Sequence, residues 1–253
     1  MPNQPIAAIS RKNERGRKMV FIVDSDAYSL SYLSMLLRRF DYELRTAATA
    51  ADALELAKGE APSLIIIALD LADRDGTELM RDLRKDPRFR KVPFIALVNQ
   101  FDPVGQARGL DEGAVDCLDQ PVSPEALYRA VQYATEIKPR TCIRLRTFLP
   151  VEVNNLCFDE LDGACASVLS ERGMFMQTST PLDVKSRLTL ELDLRGQAIV
   201  VEAIVHRTHR TAPCFYRMPG MGLEFVRIEQ DDRKVIRQFI RSEVMRDITP
   251  MHG

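Results

Sequence analysis

The chain has 253 residues, 45% of them hydrophobic and 28% charged, with a formal net charge of −1. That length is generous for one compact domain and ordinary for two, and the composition is that of a globular protein. No apolar run reaches the roughly 18 residues a membrane helix needs, and the apolar stretch at residues 5–9 is too short for a signal sequence, so a cytoplasmic protein without a membrane span is expected.

Ahead of the first apolar run, Arg11, Lys12, Arg15, Arg17 and Lys18 stand against Glu14 alone, which marks residues 1–18 as a basic flexible tail. Five charges among Asn, Gly and Pro read as solvated chain rather than as a grip on nucleic acid or lipid. The cysteines Cys117, Cys142, Cys157, Cys165 and Cys214 are widely spaced, odd in number and without a CxxC pair, as reduced thiols are. His206, His209 and Cys214 lack a fourth ligand at motif spacing, and the two histidines fall on opposite faces of a strand, so no metal is expected there.

From Met19 the hydrophobic period alternates between strand and helix. Residues 19–23 are a short β-branched apolar run. Asp24, Ser25 and Asp26 then supply capping chemistry for a helix carrying Leu30, Leu33, Leu36 and Leu37 at helical spacing. Further strands are predicted at residues 42–47, 64–69, 93–98 and 114–118, with helices at 50–58, 76–84, 103–111 and 124–134. The run from Leu64 to Leu69 is apolar throughout, as a central parallel strand covered on both faces should be. Five βα repeats predict a doubly wound parallel sheet with its functional groove at the carboxyl ends of the strands.

Landmarks at those strand ends carry a resemblance. Val23-Asp24-Ser25-Asp26, Pro62 through Leu69, Asp75-Gly76, and Gly113 through Pro121 resemble bacterial response-regulator receiver domains over residues 19–136, which implies a flavodoxin-like (βα)5 fold. In receivers, an acidic pair after the first strand and an aspartate ending the third hold Mg²⁺. The second of these sites is also the phosphoryl acceptor, and a hydroxyl residue, a lysine and an aromatic read the phosphate. Here Asp24 keeps one place of the pair and Ser25 takes the other, Ala68 stands at the acceptor, Val98 at the hydroxyl, Gln120 at the lysine and Cys117 at the aromatic. Phosphoryl transfer needs a carboxylate nucleophile, a metal and a cation, so the expectation is a pseudo-receiver kept for its surfaces. Asp70 and Asp26 lie near enough to be weighed as substitutes. Leu127, Val131 and Tyr133 lie where receivers form homodimers or meet partners, and core packing is the other reading of them.

After Lys138-Pro139 the pattern becomes strand-like. Alternating or β-rich runs occupy residues 148–153, 164–169, 174–178, 187–194, 198–206 and 223–228. Asp231-Asp232 is expected to cap a final helix with Ile236, Phe239, Ile240 and Val244 on one stripe. Six strands and a terminal helix predict a small closed barrel, giving an α/β plus β protein.

Arg140-x-x-x-Arg144 opens this half, with Arg146 close by, and Val168-Leu169-Ser170-Glu171-Arg172-Gly173 follows. With Leu149 through Val153 and Gly220 through Phe225, these residues resemble the PilZ family over residues 137–246. PilZ barrels bind the bacterial second messenger cyclic di-GMP through RxxxR and (D/N)xSxxG motifs. The resemblance implies a ligand site at Arg140, Arg144, Arg146, Ser170, Arg172 and Gly173, and a guanidinium fork suits both phosphate and guanine. Val168 in the Asp/Asn place removes one polar contact, which weakens binding by up to about tenfold.

Two readings follow. In the first, the chain is a non-enzymatic signalling effector whose barrel binds cyclic di-GMP and thereby resets the angle to a phosphorylation-incompetent receiver that engages signalling or motility proteins. In the second, it is a ligand-independent adaptor with both sites decayed. No nucleophile elbow, Walker loop or HExxH appears, and no helix-turn-helix points to DNA.

Overall fold

The computed structural model describes residues 18–153, 165–210 and 219–246. The expected tail up to residue 17, the start of the second barrel strand at Ala164, and Cys157 and Cys214 lie outside the described residues.

The first half alternates strand and helix: β1 (Met19–Val23), α1 (Ala27–Arg39), β2 (Glu43–Ala47), α2 (Ala50–Leu56), β3 (Leu64–Ala68), α3 (Gly76–Lys85), β4 (Phe94–Asn99), α4 (Pro103–Asp111), β5 (Asp116–Gln120) and α5 (Pro124–Thr135). The five strands are parallel in the order β2-β1-β3-β4-β5. Every residue of β3 is buried, which is why its sequence shows no alternation. Five helices start at a residue whose side chain accepts from the first-turn amides: Asp26, Thr49, Asp75, Asp102 and Ser123. Of the face weighed for partners, Leu127 and Val131 are fully buried core, whereas Tyr133 is 70% exposed.

The second half holds β6 (Leu145–Val153), β7 (Cys165–Ser170), β8 (Gly173–Gln177), β9 (Arg187–Asp193), β10 (Ala198–His209), β11 (Gly220–Arg227) and α6 (Gln230–Val244). The six strands close into an antiparallel barrel in the order β10-β11-β8-β7-β6-β9. Leu188, Leu190 and Leu192 face its interior with Ile199, Val201, Ala203 and Val205. Along α6, Ile236, Phe239, Ile240 and Val244 are buried on one stripe. The expected cap of this helix is corrected: Glu229 is the N-cap and makes no side-chain cap hydrogen bond, while Asp231 and Asp232 sit in the first turn, where they favour the positive end of the helix dipole.

The halves meet along α1, α5 and α6. Arg39 donates to the backbone carbonyls of Glu243 and Arg246 at the end of α6. Arg146 pairs with Asp41 at 3.0 Å, and Arg241 lies 4.0 Å from Glu125 at the start of α5. Phe40 and Tyr128 pack edge to face at 5.0 Å, joining the end of α1 to α5.

Candidate functional site

A groove of about 560 Å³ opens on the barrel wall, within the ~300–1,000 Å³ range of small-molecule sites. Val168, Ser170, Arg172, Gly173 and Phe175 line it from β7, β8 and their connecting turn; His206, Arg207, Gly222 and Glu224 line it from β10 and β11, and Arg144 reaches it from just ahead of β6. Four of the six residues expected to form a ligand site, Arg144, Ser170, Arg172 and Gly173, therefore meet here. So does Val168, which brings an apolar wall to the place of a polar contact.

Arg140 and Arg146 do not line the groove. The backbone N–H of Arg140 donates to Gln132 Oε1 on α5 at 3.3 Å, and the charges of both Arg140 and Arg144 act on the Tyr128 hydroxyl of the same helix. Arg146 turns away to Asp41. Ser170 and Gly173 have local duties as well. The Ser170 hydroxyl donates to the Gly173 carbonyl at 2.9 Å, closing the β7–β8 turn and leaving its oxygen free to accept. A Cβ at Gly173 would lie 2.1 Å from the Leu223 carbonyl oxygen, so this glycine is required by the approach of β11.

Sequence reasoning missed Arg207. Strict alternation after the buried Ala203 and Val205 would turn it into the barrel. Instead the pairing steps from Val205–Leu223 to Arg207–Gly222, so His206 is an extra, bulged residue and Arg207 emerges on the outer face. Its side chain lies across Gly222, where a Cβ would approach it to 2.9 Å, and its guanidinium sits 5.9 Å from the centroid of the Phe175 ring. The signal that could have found it is Gly222, a glycine inside a strand pattern, which marks a bulge or a close approach without saying which residue lies across it.

The groove is cationic. Desolvation, then the like charges of Arg140 and Arg207, hold the Arg144 guanidinium below its ordinary value. Among the described residues no carboxylate forms an ion pair with Arg140, Arg144 or Arg207; Glu224 on the rim lies 3.9 Å from His206. Clustered, unneutralised guanidinium groups beside an aromatic ring suit a ligand that carries phosphate and a flat base.

At the strand ends of the first half, Asp24 is 3% exposed and adjoins Ala68 across β1 and β3, one step past the Val23–Ile67 pair. Gln120 Nε2 spends both hydrogens here, on Asp24 Oδ2 and on Ser29 Oγ, each at 2.9 Å. The other Asp24 oxygen accepts from the Asp26 amide at 2.9 Å. Ser25 donates to the Ala48 carbonyl and accepts from the Ala72 amide, tying two loops together. Val98 is buried, and Asp70 is taken by the Asn99 amide at 2.7 Å. Among the described residues no group of three or more His, Cys, Asp or Glu side chains is placed to hold a metal ion.

Comparison with known proteins agrees with this division. Residues 20–132 match the family model of the response regulator receiver domain, and residues 139–242 that of the PilZ domain. The transcriptional regulatory protein GltR of Pseudomonas aeruginosa is 30% identical over 115 residues, or 46% of this chain and 48% of the relative. The response regulator PleD of Caulobacter vibrioides is 29% identical over 120 residues, covering 47% and 26%. A solved putative response regulator from Chloroflexus aurantiacus shares 29% identity over 47% of this chain and 98% of that one, with a TM-score of 0.46. The chain thus spans about half or less of the length of these curated relatives, and the matches to them lie on a share of it close to that of its first domain. It carries a response regulator receiver domain followed by a PilZ domain, the architecture of a signal-transduction protein.

Proposed function

We propose that this chain is a signalling effector whose PilZ barrel binds cyclic di-GMP in the groove around Arg144, and whose receiver domain does not take a phosphoryl group. The observation that carries the reading is the cluster of Arg144, Arg172 and Arg207 in one groove of ligand size, with Arg144 and Arg207 lacking an acidic partner among the described residues. Arg144 and Arg172 would meet the phosphates, Arg207 and Phe175 would offer flat faces to a guanine, and the Ser170 oxygen would accept from a base N–H. Arg140 and Arg146 would complete the grip from the entry segment.

In the receiver, Ala68 presents a methyl group where a nucleophile would act, and Gln120 gives Asp24 a neutral partner in place of a cation. The residues do not fit Mg²⁺. One buried carboxylate, with both oxygens already hydrogen-bonded, is a poor start for an octahedral site. The domain then serves as a protein-binding module for a signalling or motility component.

Calorimetric titration with cyclic di-GMP, with Arg144→Ala alongside, tests the first claim. Micromolar or tighter binding that the substitution abolishes is the expected result. Absence of binding would favour the ligand-independent adaptor, a reading that Val168 on the groove wall supports. For the receiver, incubation with acetyl phosphate and Mg²⁺ should leave the intact mass unchanged; a phosphoryl increment on any receiver carboxylate would refute that part.

A further inference from the structure

Two rows of residues cross the outer face of the barrel at the groove. In one, Val168, Phe175, Gly222 and Arg207 stand side by side on β7, β8, β11 and β10. In the other, two residues or about 7 Å further along the first three of these strands, stand Ser170, Gly173 and Glu224. The first row carries the flat surfaces, the Phe175 ring with the Arg207 guanidinium 5.9 Å from its centroid. The second carries acceptors. Gly173 puts no side chain between its neighbours, so Ser170 and Glu224 flank a gap two strand spacings wide, about 10 Å.

Glu224 is the one acidic residue in the lining of this groove among the described residues. Leu223 and Phe225 on either side are buried, so alternation along β11 turns Glu224 outward. Its side chain is 65% exposed, and its nearest charged neighbour, His206 Nδ1, is 3.9 Å away, beyond hydrogen-bond reach. A carboxylate beside three arginines works against any anionic ligand, unless that ligand brings it donors. Glu224 can only accept, and the Ser170 oxygen is likewise left to accept, since its own proton goes to the Gly173 carbonyl. The second row therefore favours a base edge made of N–H groups. Guanine has one, in its N1–H and its 2-amino group. Adenine presents a bare N1 there, whose lone pair would face the carboxylate.

We propose that Glu224 is the residue that determines base specificity in the barrel: its carboxylate, with the Ser170 oxygen, takes the N1–H and 2-amino hydrogens of guanine and turns adenine away. The inference rests on the nucleotide-binding reading given above and adds to it the group that reads the base. The arginines hold the phosphates of either nucleotide, whereas Glu224 gives up some attraction for charge in return for discrimination between bases.

Calorimetric titration of the full chain and of Glu224→Ala with cyclic di-GMP and with cyclic di-AMP, its adenine counterpart, tests this by sign. Removing a negative charge from a cationic groove would, by electrostatics alone, tighten the binding of both nucleotides. Base reading predicts opposite responses. Cyclic di-GMP should bind Glu224→Ala at least about tenfold more weakly than the parent, and cyclic di-AMP equally well or about threefold more tightly. Glu224→Gln, which keeps one acceptor and trades the other for a donor, should fall between the two for cyclic di-GMP. Unchanged or tighter cyclic di-GMP binding by Glu224→Ala refutes the assignment and leaves nucleotide binding standing. Equal weakening of both nucleotides refutes it as well, because that marks a loss of groove shape and not of a base contact. A parent that binds neither nucleotide overturns the assignment together with the reading beneath it.

Discussion

Replacing Gln120 by leucine removes the side chain that sends both of its amide hydrogens into the strand-end cluster of the receiver. Asp24 Oδ2 loses a donor at 2.9 Å, and Ser29 Oγ loses another. A hydrogen bond to a buried charged group contributes about 1.5–3 kcal/mol and one to a neutral hydroxyl about 1 kcal/mol. Extra apolar burial by leucine offsets about 1 kcal/mol of that sum. The expected net loss is about 2 kcal/mol, or a fall of roughly 10 °C in the midpoint of a unit this size. Urea and thermal unfolding of the parent, Gln120→Leu, Asp24→Asn and the double variant form a cycle, and the coupling between the two positions should reach about 1 kcal/mol. Gln120→Lys, which hands Asp24 a cation, should stay within about 1 kcal/mol of the parent. A Gln120→Leu protein within about 0.5 kcal/mol of the parent would show that the amide is a bystander and that Asp24 is satisfied by other means.

Gly173→Ala forces a Cβ to within 2.1 Å of the Leu223 carbonyl and should cost the barrel more than about 2 kcal/mol, read as a lowered unfolding midpoint. Burial, then the charges of Asp116 and Asp119, push the Cys117 thiol up to about 11. Its alkylation at pH 8, followed by mass spectrometry, should therefore be a few hundredfold slower than that of a free thiol of pKa ~8.5. Burial raises the Asp75 carboxyl, but bonds from the Thr77 hydroxyl and amide and from Arg108 outweigh it and leave the group below its ordinary value. A depressed folded value means that its contribution is complete above about pH 4 and disappears as the pH falls through that lower value, so Asp75→Asn should flatten the acid limb of a stability profile. Arg207→Ala should weaken cyclic di-GMP binding about tenfold or more, as loss of a charge-assisted contact does, with unfolding unchanged to within about 1 kcal/mol.

The sequence reveals most where one physical signal dominates. The unbroken apolar run of β3 reads as a central parallel strand, and the alternating leucines of β9 read as a barrel wall. Where strands are polar, the reading slips. In β5 only Leu118 is buried, and the apolar pair Ala114-Val115 suggested a strand at 114–118. Those residues lie in the turn after Gly113, at φ 85°, and the strand runs over Asp116–Gln120. β6 starts three residues before its expected position because the polar Arg146 and Thr147 at its head conceal a pairing of Leu145 with Leu169 and of Arg146 with Val168. The PilZ resemblance placed Arg140, Arg144 and Arg146 in one group. Only the three-dimensional contacts of α5 and Asp41 separate them. The bulge that turns Arg207 outward depends on the register between two strands, which no local pattern encodes.

The Gln120–Asp24–Ser29 cluster also decides what a new charge at these strand ends would meet. Suppose aspartate were placed at position 68 alone. It would set a carboxylate beside Asp24 with no lysine or metal to balance it, because Gln120 is neutral and Ser25 is committed to Ala48 and Ala72. Lysine placed alone at 120 would trade the neutral amide beside Asp24 for a cation and give up the bond to Ser29. Each single change at these strand ends therefore breaks a hydrogen bond or leaves a charge unbalanced. The cluster thereby makes this end of the sheet resistant to single polar substitutions, while the exposed faces of the domain carry no such constraint.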